Sequence, residues 1–371
     1  FYGLLDGCCN FFDPSIPDPK FKGGRTRVFG EDDRRITEFP DDYYTTTAFT
    51  DHAIESIEHF SEQDRPFFVH VTYTAPHYPL HAPEKTIQKY LSRYRSGWLA
   101  LRADRWRRQQ QMKLFNAQYK LSPLDSRAYV WVSAEQVWED RRMATYAAMI
   151  DEMDTQIGRL VQALADTGRL DQTLIVFLAD NGGCAEEPGG RDSDRIPGPK
   201  QYYTAVGPAW GWAQNTPFKR YKQWVNEGGI STPMILHWPA VIAAGTKSNA
   251  VGHVIDLAPT CADLAQTDWP EKYNDQAVHP AEGVSLLPVI RGDDSDRHES
   301  LYWEWSGNRA IRRGDQKLVY DKLDKKWSLY DIGIDRTETN DLADQYPQLV
   351  SEFQSAWNRW AKQTGVWKNP K

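Results

Sequence analysis

The stretch Thr-Leu-Ile-Val-Phe-Leu-Ala-Asp-Asn-Gly-Gly, residues 173–183, decides the fold class of this chain. Its six consecutive apolar residues are too few to span a membrane and too uniformly apolar for a half-exposed strand, so they predict a central, doubly covered strand. The strand leads to Asp180 and Asn181, on a turn that two glycines leave sterically open. Ligands of open α/β sheets bind beyond the carboxyl ends of strands, so Asp180 and Asn181 are candidate metal ligands. A simple Asx turn is the alternative.

Helices and strands alternate around this stretch. Apolar spacing over residues 143–167 predicts an amphipathic helix that ends at Gly168, just before the strand. Residues 66–73 are β-branched and aromatic and predict another buried strand. Residues 84–140 predict long helices with a solvated arginine-rich face, and residues 184–215 predict a loop. We therefore expect an α/β fold with a mainly parallel central sheet sandwiched by helices.

The pattern changes near residue 300. Short alternating segments predict strands at 301–305, 309–312, 317–320 and 327–331. A helix follows at about 346–362, which predicts a small antiparallel sheet packed by a helix, an α+β part. We therefore expect an α/β domain over residues 1–299 and a small C-terminal domain over residues 300–371.

Composition narrows the classes of function. The chain has 371 residues, 44 basic and 51 acidic, and a net charge of −7, without the basic surface that nucleic-acid binding requires. The longest apolar runs have the length of strands, so we expect no transmembrane segment. Cys8, Cys9, Cys184 and Cys261 lack the paired spacing of a metal site. These features predict a globular protein that does not bind nucleic acid.

Two further polar residues flank the predicted sheet. His77 follows the strand at 66–73, and Lys222 precedes a Glu-Gly-Gly turn. Histidine titrates near neutrality and suits general acid catalysis, whereas the lysine ammonium only donates hydrogen bonds and suits an anion. Each residue alone is more often a loop histidine or a solvated lysine, so the hypothesis depends on their common context.

Four segments of the chain stand out in order: Ala-Pro-His-Tyr-Pro-Leu at 75–80, Tyr-Ala-Ala-Met-Ile-Asp-Glu-Met-Asp at 146–154, Ala-Asp-Asn-Gly-Gly at 179–183, and the run from Lys222 through Glu-Gly-Gly-Ile to His-Trp-Pro at 237–239. Together they resemble the sulfatase family. The similarity extends from residue 1 to the end. An ordered match of this kind is far more specific than any single segment.

The resemblance implies an arylsulfatase-like enzyme of the alkaline phosphatase superfamily, which hydrolyses sulfate monoesters with a calcium ion and a formylglycine made from Cys or Ser. By position, Asp180 and Asn181 are similar to two calcium ligands of the family. His77 and Lys222 are similar to the pair that binds sulfate and assists departure of the alcohol. Oxygen ligands suit calcium, which takes about six to eight of them. The implied substrate is a small-molecule or carbohydrate sulfate ester, and the implied location is the periplasm or the cell exterior.

The chain also departs from the family pattern. The Cys/Ser-X-Pro/Ala-X-Arg signature of formylglycine, the early paired aspartates and a Gly-Lys-Trp-His-like segment do not occur in it. The expectation is therefore an N-terminally truncated sulfatase. Such a chain alone is expected to show negligible turnover, to bind calcium weakly, and to dissolve poorly because part of its sheet is uncovered.

Two alternative functions stay open. Asp180 and Asn181 also suit a phosphate or phosphonate monoester hydrolase of the same superfamily. A non-catalytic sulfated-glycan binder would keep the pocket without the nucleophile. The asparagine next to Asp180 and the charge of Lys222 favour sulfate slightly.

The remaining polar residues of these segments have structural interpretations. His70 is predicted to lie in the core or to support a site residue from behind. His81 is predicted to lie on a loop surface, with substrate contact as the alternative. His237 and His253 are predicted to be satisfied structural histidines. Glu227 is predicted to anchor the loop of Lys222.

Overall fold

The computed structural model describes residues 1–63, 65–128, 131, 135–295 and 297–366. The chain divides into two compact units. The first comprises Phe1–Ala117, Pro123–Leu170 and Gly183–Lys222, and the second comprises Gln118–Ser122, Asp171–Gly182 and Gln223–Lys371. Within the described ranges, no helix combines the length and the apolar composition that a membrane crossing requires.

The described helices, in chain order, are α1 Thr45–Ser61, α2 Glu84–Gln88, α3 Gly97–Gln111, α4 Gln136–Asp166, α5 Gly207–Gln214, α6 Glu227–Ile230, α7 Leu257–Leu264, α8 Leu287–Ile290 and α9 Pro347–Gln363. The described strands are β1 Tyr2–Leu4, β2 Phe29–Glu31, β3 Arg34–Ile36, β4 Ile175–Leu178, β5 Met234–His237, β6 Lys272–Tyr273, β7 Gln276–Ala277, β8 Leu301–Trp305, β9 Asn308–Arg313, β10 Gln316–Asp321 and β11 Lys326–Asp331.

The long helix α4 organises the first unit, where it packs against α1 and α2. Ala144, Ala148 and Leu164, which belong to the apolar spacing that predicted α4, are buried. After the helix, Gly168 adopts a φ of 69°, in the left-handed region where glycine commonly ends a helix. The predicted helix over 143–167 is confirmed, and it begins earlier, at Gln136.

The second unit contains a four-stranded antiparallel sheet in the order β11-β10-β9-β8, covered by α9. Leu318 on β10 lies opposite both Ile311 on β9 and Leu329 on β11, and all three side chains are fully buried. Trp357 of α9 is also fully buried, and its indole nitrogen donates to the carbonyl oxygen of Trp303 at 3.0 Å. The predicted C-terminal antiparallel sheet with its helix is confirmed. The domain boundary near residue 300 stays a prediction.

The mixed α/β class is also confirmed, but the strand at 173–179 pairs differently from the expectation. Strand β4 runs antiparallel to β5, with Ile175 opposite His237 and Leu178 opposite Met234. Val176 and Phe177 keep 37% and 38% of their surface exposed, so β4 is not doubly covered. An apolar run predicts a strand, but it specifies neither the direction of the partner strand nor what covers its faces.

The mainly parallel central sheet is not formed by the described residues. Among them, parallel pairing is limited to an isolated bridge between His81 and Gly198. Residues 66–74 belong to no described strand, and Phe68 is 71% exposed. High β-propensity reflects packing on a sheet, so it does not by itself provide the partner that a strand needs.

Two predictions about where helices lie, at 84–140 and at 184–215, are corrected. The region 84–140 contains α2, α3 and the start of α4, whereas residues 112–128 lie outside helices. The predicted loop at 184–215 contains α5, which is buried along almost its whole length. A helix that is buried all round has no amphipathic stripe, so the periodicity of polar and apolar residues gave no signal for α5.

Candidate active site

His77 and Lys222 lie in contact within the first unit. The Nε2 atom of His77 is 3.1 Å from Nζ of Lys222, and its Nδ1 atom is 2.9 Å from the carbonyl oxygen of Tyr78. A carbonyl oxygen only accepts, so Nδ1 carries a proton and donates it, and the lone pair of Nε2 accepts from the Lys222 ammonium. The contact therefore sets a ring nitrogen of His77 directly against the terminal nitrogen of Lys222.

The backbone of Lys222 is attached to the end of the Asp-Asn-Gly-Gly turn. Its amide nitrogen donates to the carbonyl oxygen of Gly183 at 3.1 Å. The side chain of Asn215 accepts from the Gly183 nitrogen at 2.8 Å and donates to the Gly183 oxygen at 3.3 Å. A Cβ atom on Gly183 would lie 2.8 Å from the side-chain oxygen of Gln214. Glycine at this position therefore leaves room for the side chain of Gln214.

A buried arginine of α3 holds the same segment from another side. The guanidinium of Arg102 is fully buried and lies 4.1 Å from the centre of the Trp212 ring. It donates to the carbonyl oxygens of Trp212 at 2.7 Å, Pro217 at 2.9 Å and Phe218 at 3.0 Å. Burial, together with the nearby charge of Arg105, lowers the pKa of Arg102 to about 9. The prediction of a solvated arginine-rich face is wrong for Arg102, because these carbonyl groups replace water.

Beside His77 lie three residues that no sequence pattern predicted as part of the site: Tyr78, Cys184 and Glu186. One ligand atom each of His77, Cys184 and Glu186 lie within 4.8 Å of one another. The Glu186 Oε2 atom accepts from the Tyr78 hydroxyl at 2.8 Å and from the Cys184 thiol at 3.4 Å. Cys184 and Glu186 follow the glycine turn directly, but nothing local shows that this loop returns to His77.

The titration of this cluster reflects its surroundings. Burial acts to raise the pKa of Glu186, but hydrogen bonds from Tyr78 and Cys184 and the charge of Lys222 outweigh it and hold this pKa below its usual range. Burial raises the pKa of Cys184 to about 12. Near neutral pH, the cluster therefore contains a carboxylate and a protonated thiol.

Asp180 and Asn181 belong to the second unit and follow β4 directly. The Asp180 side chain is exposed, and the side-chain nitrogen of Asn181 donates to the carbonyl oxygen of Gly182 at 3.0 Å. The amide of Gly182 donates to the carbonyl oxygen of Gly229 at 3.0 Å, which attaches the turn to α6. A carboxylate and an amide oxygen fit the hard-oxygen chemistry of calcium. They would supply two of the about six to eight ligands that calcium takes.

Glu227 anchors α6 within the second unit, whereas its predicted role as the anchor of the Lys222 loop stays a prediction. Nζ of the fully buried Lys317 lies 2.7 Å from Glu227 and 3.0 Å from Glu338, and Arg336 lies 3.1 Å from Glu227. Burial acts to raise the pKa of Glu227, but the charges of Lys317 and Arg336 prevail and lower it to about 2. For Glu338, burial outweighs Lys317 and raises the pKa. This cluster joins α6 to strand β10.

His81 is a buried structural histidine, so the prediction of a loop-surface position is wrong. Its Nε2 atom lies 3.3 Å from the carbonyl oxygen of Tyr202, and its Nδ1 atom accepts from the Phe11 amide at 3.4 Å. Burial lowers the pKa of His81 to about 4. Backbone groups satisfy both ring nitrogens, as is typical of a structural histidine.

Of the other histidines discussed, two are exposed where a core or structural position was predicted, and one has the predicted structural role. His70 is exposed, because the segment 66–74 lacks a covering layer on that side. His237 is exposed at the end of β5. His253 has the predicted structural role, since its Nδ1 atom accepts from the amide of Ile255 and caps a short 3₁₀ turn.

Comparison with known proteins identifies the family to which this chain belongs. The chain matches the family model described as sulfatase over residues 10–267, and the model described as N-sulphoglucosamine sulphohydrolase, C-terminal, over residues 218–363. The protein therefore belongs to the sulfatase family. Its relatives include an uncharacterized sulfatase of Schizosaccharomyces pombe, 30% identical over 352 residues, with 87% of this chain and 62% of the relative covered. Another is an arylsulfatase of Klebsiella aerogenes, 29% identical over 315 residues, with 81% of this chain and 67% of the relative covered.

Solved structures support the same fold. A structure named Ps i-CgsB aligns with a TM-score of 0.66 and 22% identity over 97% of this chain and 65% of its own. The PsFucS1 sulfatase from Pseudoalteromonas sp. aligns with a TM-score of 0.60 and 16% identity over 93% of this chain and 59% of its own. The chain thus spans about two thirds or less of the length of these similar proteins.

Proposed function

We propose that this chain is the part of a sulfuric ester hydrolase that binds the sulfate group and protonates the departing alcohol. The contact between His77 Nε2 and Lys222 Nζ, at 3.1 Å, is the observation that carries the proposal. The contact places a titratable group beside a fixed positive charge. Membership of the sulfatase family supports sulfate esters as the substrate class.

The two residues have separate tasks in the proposed reaction. Lys222 donates hydrogen bonds to sulfate oxygens and neutralises negative charge as the bond between sulfur and the bridging oxygen breaks. When the anionic ester takes over these hydrogen bonds, its charge favours a second proton on His77. The proton on Nδ1 stays with the Tyr78 carbonyl, so the new proton is on Nε2, from which it passes to the leaving oxygen.

Asp180 and Asn181 are the residues that would hold calcium, together with further ligands. A calcium ion held there would supply positive charge that stabilises the negative charge of a sulfate ester. The chain contains no formylglycine signature, so none of its residues is given the role of nucleophile. The roles proposed for His77 and Lys222 concern sulfate binding and proton transfer alone.

The names of relatives suggest the kinds of alcohol that the ester carries. One is the arylsulfatase of Klebsiella aerogenes, and another is an N-acetylglucosamine-6-O-sulfatase of Bacteroides thetaiotaomicron, 26% identical over 61% of this chain. We propose a small aryl sulfate or a carbohydrate sulfate as the substrate.

The test compares leaving groups in the natural protein. His77→Gln is expected to lower kcat on an alkyl or sugar sulfate by about 100-fold or more, the scale of general acid catalysis. On para-nitrophenyl sulfate, whose alcohol leaves without a proton, the loss is expected to be much smaller. His237→Gln, at an exposed histidine, is the matched control and is expected to change neither rate.

Equal losses on both kinds of leaving group would contradict the proton-transfer role of His77. Faster hydrolysis of para-nitrophenyl phosphate than of the corresponding sulfate would favour the phosphate monoester hydrolase instead.

A further inference from the structure

Three metal-ligating side chains of different chemistry converge beside Lys222. One ligand atom from each of His77, Cys184 and Glu186 lies within 4.8 Å of the other two, and the Cys184 sulfur is 3.4 Å from Glu186 Oε2. A tetrahedral zinc ion with bonds of about 2.0–2.3 Å separates neighbouring ligand atoms by about 3.5 Å. Small side-chain rotations therefore bring this cluster to the spacing of a zinc site.

The surroundings already hold these ligands in orientations that suit a metal. A histidine that binds metal usually donates its other ring N–H to a carbonyl or carboxylate oxygen. His77 makes this bond from Nδ1 to the Tyr78 carbonyl oxygen at 2.9 Å, which leaves Nε2 as the ligand atom. The Tyr78 hydroxyl holds Glu186 at 2.8 Å, and the Glu186 amide lies 3.4 Å from the Cys184 sulfur.

The donor set selects a particular class of ion. Nitrogen and sulfur ligands favour zinc and similar borderline-soft ions, whereas calcium and magnesium prefer oxygen alone. On binding, the Cys184 thiol releases its proton to solvent as the metal–sulfur bond forms. The resulting thiolate and the Glu186 carboxylate together balance the two positive charges of the ion.

We propose that His77, Cys184 and Glu186 form a binding site for Zn²⁺ or a similar divalent ion, and that an ion bound there inhibits the enzyme. The ion would occupy the Nε2 lone pair that now accepts from Lys222, so His77 could neither contact Lys222 nor take up the proton it transfers. The inhibitory half of this proposal rests on the proposed function, whereas metal binding does not.

Binding is tested on the full 371-residue chain after treatment with a chelator. Co²⁺, used as a coloured substitute for zinc, is expected to give a thiolate-to-metal absorption band at a single equivalent, and Zn²⁺ is expected to displace it. Cys184→Ser should abolish the band, and Glu186→Gln should weaken cobalt affinity by about tenfold or more. Cys261→Ser, at an exposed cysteine, is the matched control and should keep the full band.

Absence of the band in the wild type, or its persistence in folded Cys184→Ser, would overturn the site. Circular dichroism checks folding. If Cys184→Ser unfolds, unchanged cobalt affinity in Glu186→Gln overturns the metal site instead.

Inhibition is measured from turnover of the natural protein in excess calcium. Zinc is expected to inhibit the wild type, and Cys184→Ser should need about tenfold more zinc. Equal zinc sensitivity in both would refute inhibition through this site, whereas an absence of sulfatase turnover would contradict the proposed function and leave the cobalt result valid.

Discussion

Replacement of Lys317 by methionine tests how strongly the buried charge cluster stabilises the second unit. Lys317 is fully buried between Glu227 and Glu338, with Nζ at 2.7 Å and 3.0 Å from their carboxylates. Methionine keeps most of the apolar stem but removes the charge. Glu227 retains Arg336 at 3.1 Å, so Glu338 is the carboxyl group that loses its main partner.

Removal of one partner from a buried ion pair costs about 3–5 kcal/mol. The lower end is expected for Lys317→Met, because Glu338 already has a raised pKa and can take up a proton in place of the lysine charge. A group with a raised folded pKa stabilises the fold below its unfolded pKa, and this stabilisation is lost as pH rises through the folded pKa. The destabilisation by Lys317→Met should therefore be largest near neutral pH and should shrink in acid.

The assay is urea unfolding followed by tryptophan fluorescence, at neutral and at acidic pH. Lys326→Met, at an exposed lysine on the neighbouring strand, is the control and should leave the free energy of unfolding nearly unchanged. The double variant Lys317→Met with Glu338→Leu should be more stable than Lys317→Met alone, because no buried carboxyl group is then left without its partner. A loss below about 1 kcal/mol, or a loss that does not depend on pH, would refute this account of the cluster.

Three further outcomes are expected. Gly211→Ala should destabilise the chain by about 1–3 kcal/mol, because its Cβ would lie 2.8 Å from the Cα of Ala185. Gly158→Ala, at a position with open space around it, is the control and should be neutral or stabilising. Equal effects of the two variants on thermal unfolding would contradict this expectation. Calcium should bind the 371-residue chain at roughly millimolar concentration or weaker, so a tight calorimetric titration would show that Asp180 and Asn181 have more partner ligands than expected. The free energy of unfolding should fall as pH drops from 6.5 towards about 4, because His81 takes up a proton in the unfolded chain that it does not take up in the folded protein. His81→Gln should make the free energy of unfolding less dependent on pH in this range. An unchanged dependence in this variant would contradict the role given to His81.

The sequence predicted best the elements whose signals are local. The stripe of α4 and its end at Gly168 follow from helical spacing and one glycine. The strands around Leu318 are joined by short turns, so each pairs with its neighbour in the chain, and alternation alone is enough to predict the sheet.

Elements that depend on distant partners were predicted less well. The partner of β4 lies more than fifty residues away along the chain, and an apolar run does not encode its direction. Of the site, His77 and Lys222 were identified through the family resemblance, and the structure brings them into contact. Cys184 and Glu186 lie beside His77 because the loop after Gly183 folds back towards it. Local sequence spacing does not predict this tertiary contact.

The attachment of the Lys222 segment also affects how a ligand would bind. Arg102 holds three carbonyl groups ahead of Lys222. The Gly183 backbone contacts both the Asn215 side chain and the Lys222 amide. Ordering a flexible loop at the moment of binding costs conformational entropy, which lowers affinity. In this protein, the buried arginine orders the segment when the chain folds, so this entropy is lost before a ligand binds. An anion would therefore have to immobilise little more than the lysine side chain itself, so weakening the Arg102 contacts should lower affinity for sulfate without altering any group that touches it.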